Sequence, residues 1–276
     1  MRDFVVLAAT DFSGGSFEML SKADKLARDM GAKLYIAHII EDSFFGEVDN
    51  IEEVRSRCIT SLTAEMPGIK FEDFYCKKGN VKDEISKLTK ELDASIVIIG
   101  GEGESSVIEE LFIGSNTKDI IRGSIAPVLI AKSKAEPLYK RILIPTDFSD
   151  ESRIAIKKAA GMFVDASLIL LNVYSIPFES RLSGYYGFSH DAIEDFQNNI
   201  KSDIQKKGDE FLKTIDLPLE RLELRIMRGS MNHKLFMELI SPMRIDLVCL
   251  HTTGVYSFFA FDILESSTLD VLMYKI

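Results

Sequence analysis

The sequence predicts an α/β protein of two tandem doubly wound, Rossmann-like domains with parallel five-strand sheets, the last strand of the second copy being in question. Three observations predict it. The chain repeats itself, apolar strand-like runs alternate with helix-period segments, and 276 residues suit two domains of roughly 100–200 residues each. Leu7-Ala8-Ala9-Thr10-Asp11-Phe12-Ser13 returns as Leu143-Ile144-Pro145-Thr146-Asp147-Phe148-Ser149, after an apolar run in both places.

The first strand of each copy ends in this Thr-Asp-Phe-Ser and leads into a helical segment. The second strands correspond as 33–39 and 167–173. Gly79-Asn80-Val81 and Gly229-Ser230-Met231 then each open a helical run. Between these landmarks the second copy has gained about sixteen residues around 177–191, where Ser183-Gly184-Tyr185-Tyr186-Gly187-Phe188 breaks any period and reads as a long loop. A surface insertion explains that loop more simply than a lid does.

The fourth strands, 95–99 and 246–250, start a stretch that aligns without gaps through Ser115-Asn116-Thr117 against Ser266-Ser267-Thr268. In that register Ile276 meets Ile125, so the first copy's closing strand, 127–131, has no counterpart. Alternatively 271–276 is itself a strand whose helix has been lost. Continuous apolar runs such as 96–99 and 142–144 suit parallel strands covered on both faces, and right-handed crossovers complete each sandwich. The polar, proline-terminated segment 132–137 is the natural linker, giving domains 1–133 and 138–276. A sheet that stopped at its fourth strand would need cover from 127–131 or from another chain, so an intramolecular pseudo-dimer or a homodimer is expected.

Hydrophobic residues at 46% and charged residues at 28% exclude disordered and fibrous chains. No apolar run approaches the roughly 18–20 residues that cross a bilayer, and the start of the chain lacks a signal-peptide pattern. A cytoplasmic protein with no membrane partner is expected. The net charge of −10, from 33 basic and 43 acidic residues, repels phosphate backbones, so nucleic acid is not an expected partner.

Cys58, Cys76 and Cys249 form neither a disulfide framework nor a metal-ligand pattern. His38, His190, His233 and His251 are scattered, and neither His-Glu-x-x-His nor Cys-x-x-Cys occurs, so no metal is assigned. Ser189-His190-Asp191 contains the triad residue types, but adjacent residues cannot stack into a relay. No catalytic residue is assigned. Packing accounts for Met227, Met231 and Met237, and the acidic run around Phe44-Phe45 reads as a solvated loop.

In open parallel sheets ligands bind beyond the carboxyl ends of the strands, where strand order reverses. Thr10 and Asp11 follow strand one, and Gly100-Gly101-Glu102-Gly103 follows strand four. After a ten-residue spacer from Gly103, Gly114-Ser115-Asn116-Thr117 opens a helix. Glycines there let main-chain N–H groups approach a phosphate, and a helix N-terminus favours an anion. A capping role serves Ser115 and Thr117 equally well. Neither a Walker A sequence nor Gly-x-Gly-x-x-Gly after strand one is present.

Two Thr-Asp-Phe-Ser strand ends, with Gly-x-x-Gly, a spacer and Gly-Ser before the last helix of the first copy, resemble the universal stress protein family in its tandem-domain form. The resemblance covers nearly the whole chain. It implies five-strand parallel sheets, binding of ATP or another adenine nucleotide, and a regulatory part in stress survival, with at most slow ATP hydrolysis or adenylyl transfer. Carried over by position, it implies that Thr10 and Asp11 hold adenine or ribose, with the main chain at Ile39 and Ile40 closing over the base. Gly100, Gly103, Gly114 and Ser115 would line the phosphates, with Asn116 and Thr117 beside them.

Ala9 stands where the family usually has proline, and the spacer is one residue longer than in the family's ATP-binding pattern. Glu102 and Glu104 flank the phosphate path, and a like charge at 4 Å costs about 1 kcal/mol even in water. Magnesium or outward rotation of the glutamates would relieve it, so ATP with Mg2+ is expected in the first domain only. In the gapless register of the second copy His251 replaces Gly100, Thr252 replaces Gly101, Gly254 keeps the place of Gly103, and Glu265 falls on Gly114. That copy is expected to bind no ATP. A rival reading is an interaction scaffold with both pockets degenerate.

Overall fold

In the computed structural model the described residues are 4–41, 50–101, 115–133, 136, 139–176, 189–229, 232–252 and 257–275. They divide into two compact units, Met1–Leu138 with Ser267–Lys275, and Tyr139–Ser266.

The first unit alternates β1 (Val5–Ala9), α1 (Ser16–Asp29), β2 (Lys33–Ile40), α2 (Ile51–Glu65), β3 (Phe74–Lys78), α3 (Val81–Glu91), β4 (Ile96–Gly100), α4 (Ser115–Gly123) and β5 (Val128–Ala131). Its strand order is β3-β2-β1-β4-β5, all parallel. Order therefore reverses between β1 and β4. Val6, Leu7, Ala8, Ile96, Val97 and Ile98 are fully buried there, as a sheet covered on both faces requires. On α1 the residues Met19, Leu20, Ala23, Leu26 and Ala27 recur at helical spacing and face the sheet. Gly31 takes the left-handed conformation at φ +61° just past that helix, which lets Ala32 N–H reach the Ala27 carbonyl at 2.7 Å and closes the helix end.

The second unit repeats the plan with β6 (Arg141–Pro145), α5 (Asp150–Met162), β7 (Ser167–Tyr174), α6 (His190–Thr214), β8 (Leu222–Arg228), α7 (His233–Ile240), β9 (Leu247–His251) and α8 (Ser257–Ser266). The order is β9-β6-β7-β8, again all parallel. The inserted loop 177–188 lies outside the described residues. Part of the insertion is helix: α6 runs for 25 residues where its counterpart α2 has 15. Ser189 is its N-cap, accepting from the Ala192 N–H at 3.3 Å, and so has a capping function in place of a triad role.

The last strand corrects two expectations. The second copy does not lack it: β10 (Asp270–Tyr274) is a strand, and its helix is not lost, because α8 precedes it. The gapless register fails after β9. Fourteen residues separate β4 from α4, whereas five separate β9 from α8, so Glu265 lies in the last turn of α8 and not at a helix start.

By its contacts β10 belongs to the first unit, pairing antiparallel with β5 in the register Leu272↔Leu129. A charged cluster holds it there. Lys22, on the buried face of α1, is 7% exposed and Asp270 is fully buried. The Lys22 ammonium donates to Asp270 Oδ2 at 2.5 Å and to the Ser133 carbonyl at 2.6 Å. Asp270 Oδ1 accepts the main-chain N–H groups of Lys132 and Ser133, both at 2.8 Å.

Removing one member of a buried ion pair leaves an uncompensated charge. Asp270→Asn is accordingly expected to lower the unfolding free energy of the first unit by about 3–5 kcal/mol in urea titrations. Lys22→Met, which leaves the carboxylate its two main-chain donors, is expected to cost less.

Candidate functional site

The β1 strand ends in a turn built by its own side chains. Thr10 N–H still donates to the Ala37 carbonyl of β2 at 2.9 Å, while Thr10 Oγ1 accepts from Phe12 N–H at 3.1 Å. Asp11 Oδ1 accepts from Ser13 N–H at 3.0 Å and from the Ser16 hydroxyl at 2.9 Å. Between these bonds Phe12 is held at φ +59°, a left-handed conformation that costs a non-glycine residue about 1–3 kcal/mol. Its ring packs edge-on against His38 at 5.1 Å and against Phe17 and Phe74 at 6.3 Å.

The second unit rebuilds the turn atom for atom. Phe148 N–H donates to Thr146 Oγ1 at 3.1 Å, and Asp147 Oδ1 accepts from Ser149 N–H at 3.1 Å and the Ser152 hydroxyl at 2.8 Å. Phe148 sits at φ +65°. The carbonyl of the threonine also has a matching partner in each copy: His38 Nδ1–H donates to Thr10 O at 2.9 Å, and Asn172 Nδ2–H donates to Thr146 O at 2.8 Å. Turn construction thus explains the repeated motif in both halves, including Asp11. Burial pulls the Asp11 carboxyl upward, but its hydrogen bonds from Ser13 and Ser16 outweigh this and hold it below the usual carboxylate value.

The register Ala9↔Ile99 sets Thr10 beside Gly100 at the switch point. Thr10 is buried, Asp11 exposed and Gly100 half-buried. Gly101 N–H continues the ladder to Ala131 O at 2.9 Å, and a Cβ on Gly101 would stand 2.6 Å from Lys132 Cγ. A side chain at this position would oblige that of Lys132, just past β5, to move. Ile40 is buried and Ile39 half-buried, and the Ile40 carbonyl already accepts from Gly79 N–H at 3.0 Å. Asn116 is exposed and Thr117 half-buried in the first turn of α4, which Ser115 opens. Gly103, Gly114, Glu102 and Glu104 lie outside the described residues, as do Phe44 and Phe45.

In the second unit the corresponding place is filled. The register Leu143↔Val248, carried along β6 and β9, sets His251 beside Thr146. Its imidazole is 2% exposed, with Nε2 3.4 Å from Ser152 Oγ. The histidine joins the turn's own network, at the place where the first unit has Gly100.

Among the described residues no group of His, Cys, Asp and Glu could hold a metal ion, and no helix is long and apolar enough to cross a membrane. Burial pushes the Cys76 thiol up to about 11 and raises Cys249 as well, so neither is a thiolate at neutral pH.

Residues 5–132, from β1 through the end of β5, match the model of the universal stress protein family. That match makes the first half a universal stress protein family domain. It is similar to universal stress protein G of Shigella flexneri, 39% identical over 58 residues, which are 21% of this chain and 39% of that protein. The chain thus spans about two fifths of the length of that curated relative. Universal stress protein MJ0577 of Methanocaldococcus jannaschii is 26% identical over 128 residues, covering 42% of this chain and 78% of its own. A universal stress protein from Archaeoglobus fulgidus superposes on 100% of this chain and 99% of its own, with a TM-score of 0.64 and 18% identity. That likeness extends the universal stress protein fold beyond residue 132.

Because the folded Asp11 carboxyl has a lowered pKa, its stabilisation is present above the ordinary carboxylate value and is lost as pH falls through the folded value. Asp11→Asn is expected to destabilise the first unit at pH 7, and the gap from the native protein should close below about pH 4. Urea midpoints across that range check it.

Proposed function

We propose that this universal stress protein is a regulatory, nucleotide-binding protein in which the first half alone takes ATP or an adenylate with Mg2+. The observation that carries the reading is the asymmetry at the two switch points. In the first unit Gly100 leaves main chain bare beside Thr10, and fourteen residues including Gly103 and Gly114 lead to the N-terminus of α4. In the second unit His251 occupies that place and five residues lead to α8. A phosphate chain needs close main-chain N–H groups and a helix N-terminus, and the first unit has the chain length to supply both.

Gly100, Gly103, Gly114 and Ser115 are assigned to the phosphates, with Asn116 and Thr117 adjoining. Thr10 and Asp11 face the ribose or base, which the main chain at Ile39 and Ile40 borders. Asp11 makes the weaker case, since its Oδ1 serves the turn just as Asp147 Oδ1 does. With the Asp11 carboxylate engaged through Oδ1 by Ser13 and Ser16, no evident general base stands among these residues, and the reading is one of binding and regulation. The second unit is assigned a structural role.

Isothermal titration with ATP and Mg2+ is expected to find one site per chain. Gly100→His, which transfers the second unit's residue into the first, is expected to keep the fold and weaken binding at least tenfold, about 1.4 kcal/mol. Gly114→Glu should do the same, and Asp147→Ala should leave binding unchanged. Native protein that takes up no nucleotide would favour the interaction-scaffold reading instead.

A further inference from the structure

We propose, resting on the nucleotide-binding reading above, that Lys132 is the cation that meets the nucleotide's phosphates, and that the bare main chain of Gly101 is what lets this side chain lie across β4 toward them. Lys132 then separates a phosphorylated ligand from its nucleoside. The sheet sets the placement. Strands β4 and β5 pair in the register Gly100↔Ala131, and Gly101 N–H donates to Ala131 O, so Gly101 and Lys132 stand opposite each other just past the strand ends. Opposed residues of a sheet project to the same face.

The stem of the lysine leans away from its own strand. A Cβ on Gly101 would lie 3.4 Å from Lys132 Cβ but only 2.6 Å from Lys132 Cγ, so the side chain bends off β5 and occupies the space over β4. The next strand in that direction is β1, and the crevice between β4 and β1, beside Gly100 and Thr10, is the switch point. Neighbouring strands stand about 4.8 Å apart, a width that the two methylenes and the ammonium beyond Cγ can cross. The helix α4 starts at this same end of the sheet, since it leads from the carboxyl end of β4 back to β5.

Its main chain is fixed independently of its side chain. Lys132 N–H donates to the buried Asp270 Oδ1 at 2.8 Å, so the stem starts from an anchored base, and such preorganisation lowers the cost of binding. The charge is also needed. None of the residues assigned to the phosphates is cationic, Glu102 and Glu104 come next in the chain after Gly101, and a lysine supplies a point charge suited to phosphate. The second copy has the same cation without the same setting. Val128-Leu129-Ile130-Ala131-Lys132 has its counterpart in Val271-Leu272-Met273-Tyr274-Lys275, but the Lys275 ammonium donates to the Arg122 carbonyl at 3.0 Å. There β9 ends on His251 and is followed by Thr252 in place of a glycine.

Calorimetric titration of the full chain with adenosine and with ATP, both in Mg2+, tests this. Lys132→Met keeps the stem and the main-chain bond to Asp270, and is expected to retain the native circular dichroism. It should weaken ATP about tenfold, make the remaining ATP affinity less sensitive to salt, and leave adenosine unchanged. Lys132→Arg should retain most of the ATP affinity. Gly101→Ala, whose main chain lies outside the left-handed region, should weaken ATP in the same direction by displacing the stem. An ATP affinity unchanged in Lys132→Met overturns the proposal and leaves the nucleotide-binding reading standing. So does a loss that adenosine or Lys132→Arg shares in full, which would make the residue a support of the fold alone. Native protein that takes up neither ligand overturns both.

Discussion

The ion pair between Lys22 and Asp270 is the constraint on which the rest of the first unit depends. A lysine on the sheet-facing side of α1 is tolerable only if its charge is met and its remaining protons are taken up, since taking an ammonium out of water costs several kcal/mol. Asp270 and both oxygens of Ser133 meet that demand, and the carboxylate in turn gathers two main-chain N–H groups just past β5. One cluster therefore joins the first helix, the exit from the fifth strand and the start of β10. Without β10 the strand β5 would present an open apolar edge, a template for unwanted pairing.

Around the switch points the same turn has been kept and its surroundings changed. Both copies fix a phenylalanine in the left-handed region with a threonine hydroxyl, an aspartate and a serine one helical turn on. What differs is the next strand: glycine in β4, histidine in β9. Ser152, matching Ser16, thereby gains a ring nitrogen at 3.4 Å, and a half-buried glycine in one half is a buried histidine in the other.

The repeat, the parallel strands and the switch point were legible because period and motif report on burial and on turn chemistry directly. The end of the second copy was not. Ser266-Ser267-Thr268 imitates Ser115-Asn116-Thr117 since hydroxyl residues suit both helix starts and helix exits. A gapless comparison therefore hid the shortening between β9 and α8 and transferred Glu265 to the wrong end of a helix. Asp11 has a second use that its type and position do not separate from the first. An aspartate at a strand end looks like a ligand contact, yet its Oδ1 atom is occupied by Ser13 and Ser16, a bond pattern that only coordinates reveal. The burial of Lys22 was likewise invisible, its partner lying 248 residues away.

That separation gives the molecule an inverted order of completion. Residues 1–133 leave the ribosome first, and domains generally begin to fold in the order of their synthesis, but the edge of β5 cannot be closed until residue 270 has been made. Bringing ends 248 residues apart together in a flexible chain carries a closure cost of about 5 kcal/mol. A second unit that has already folded shortens the flexible path and reduces that cost. The half that emerges first is thus the half that is completed last.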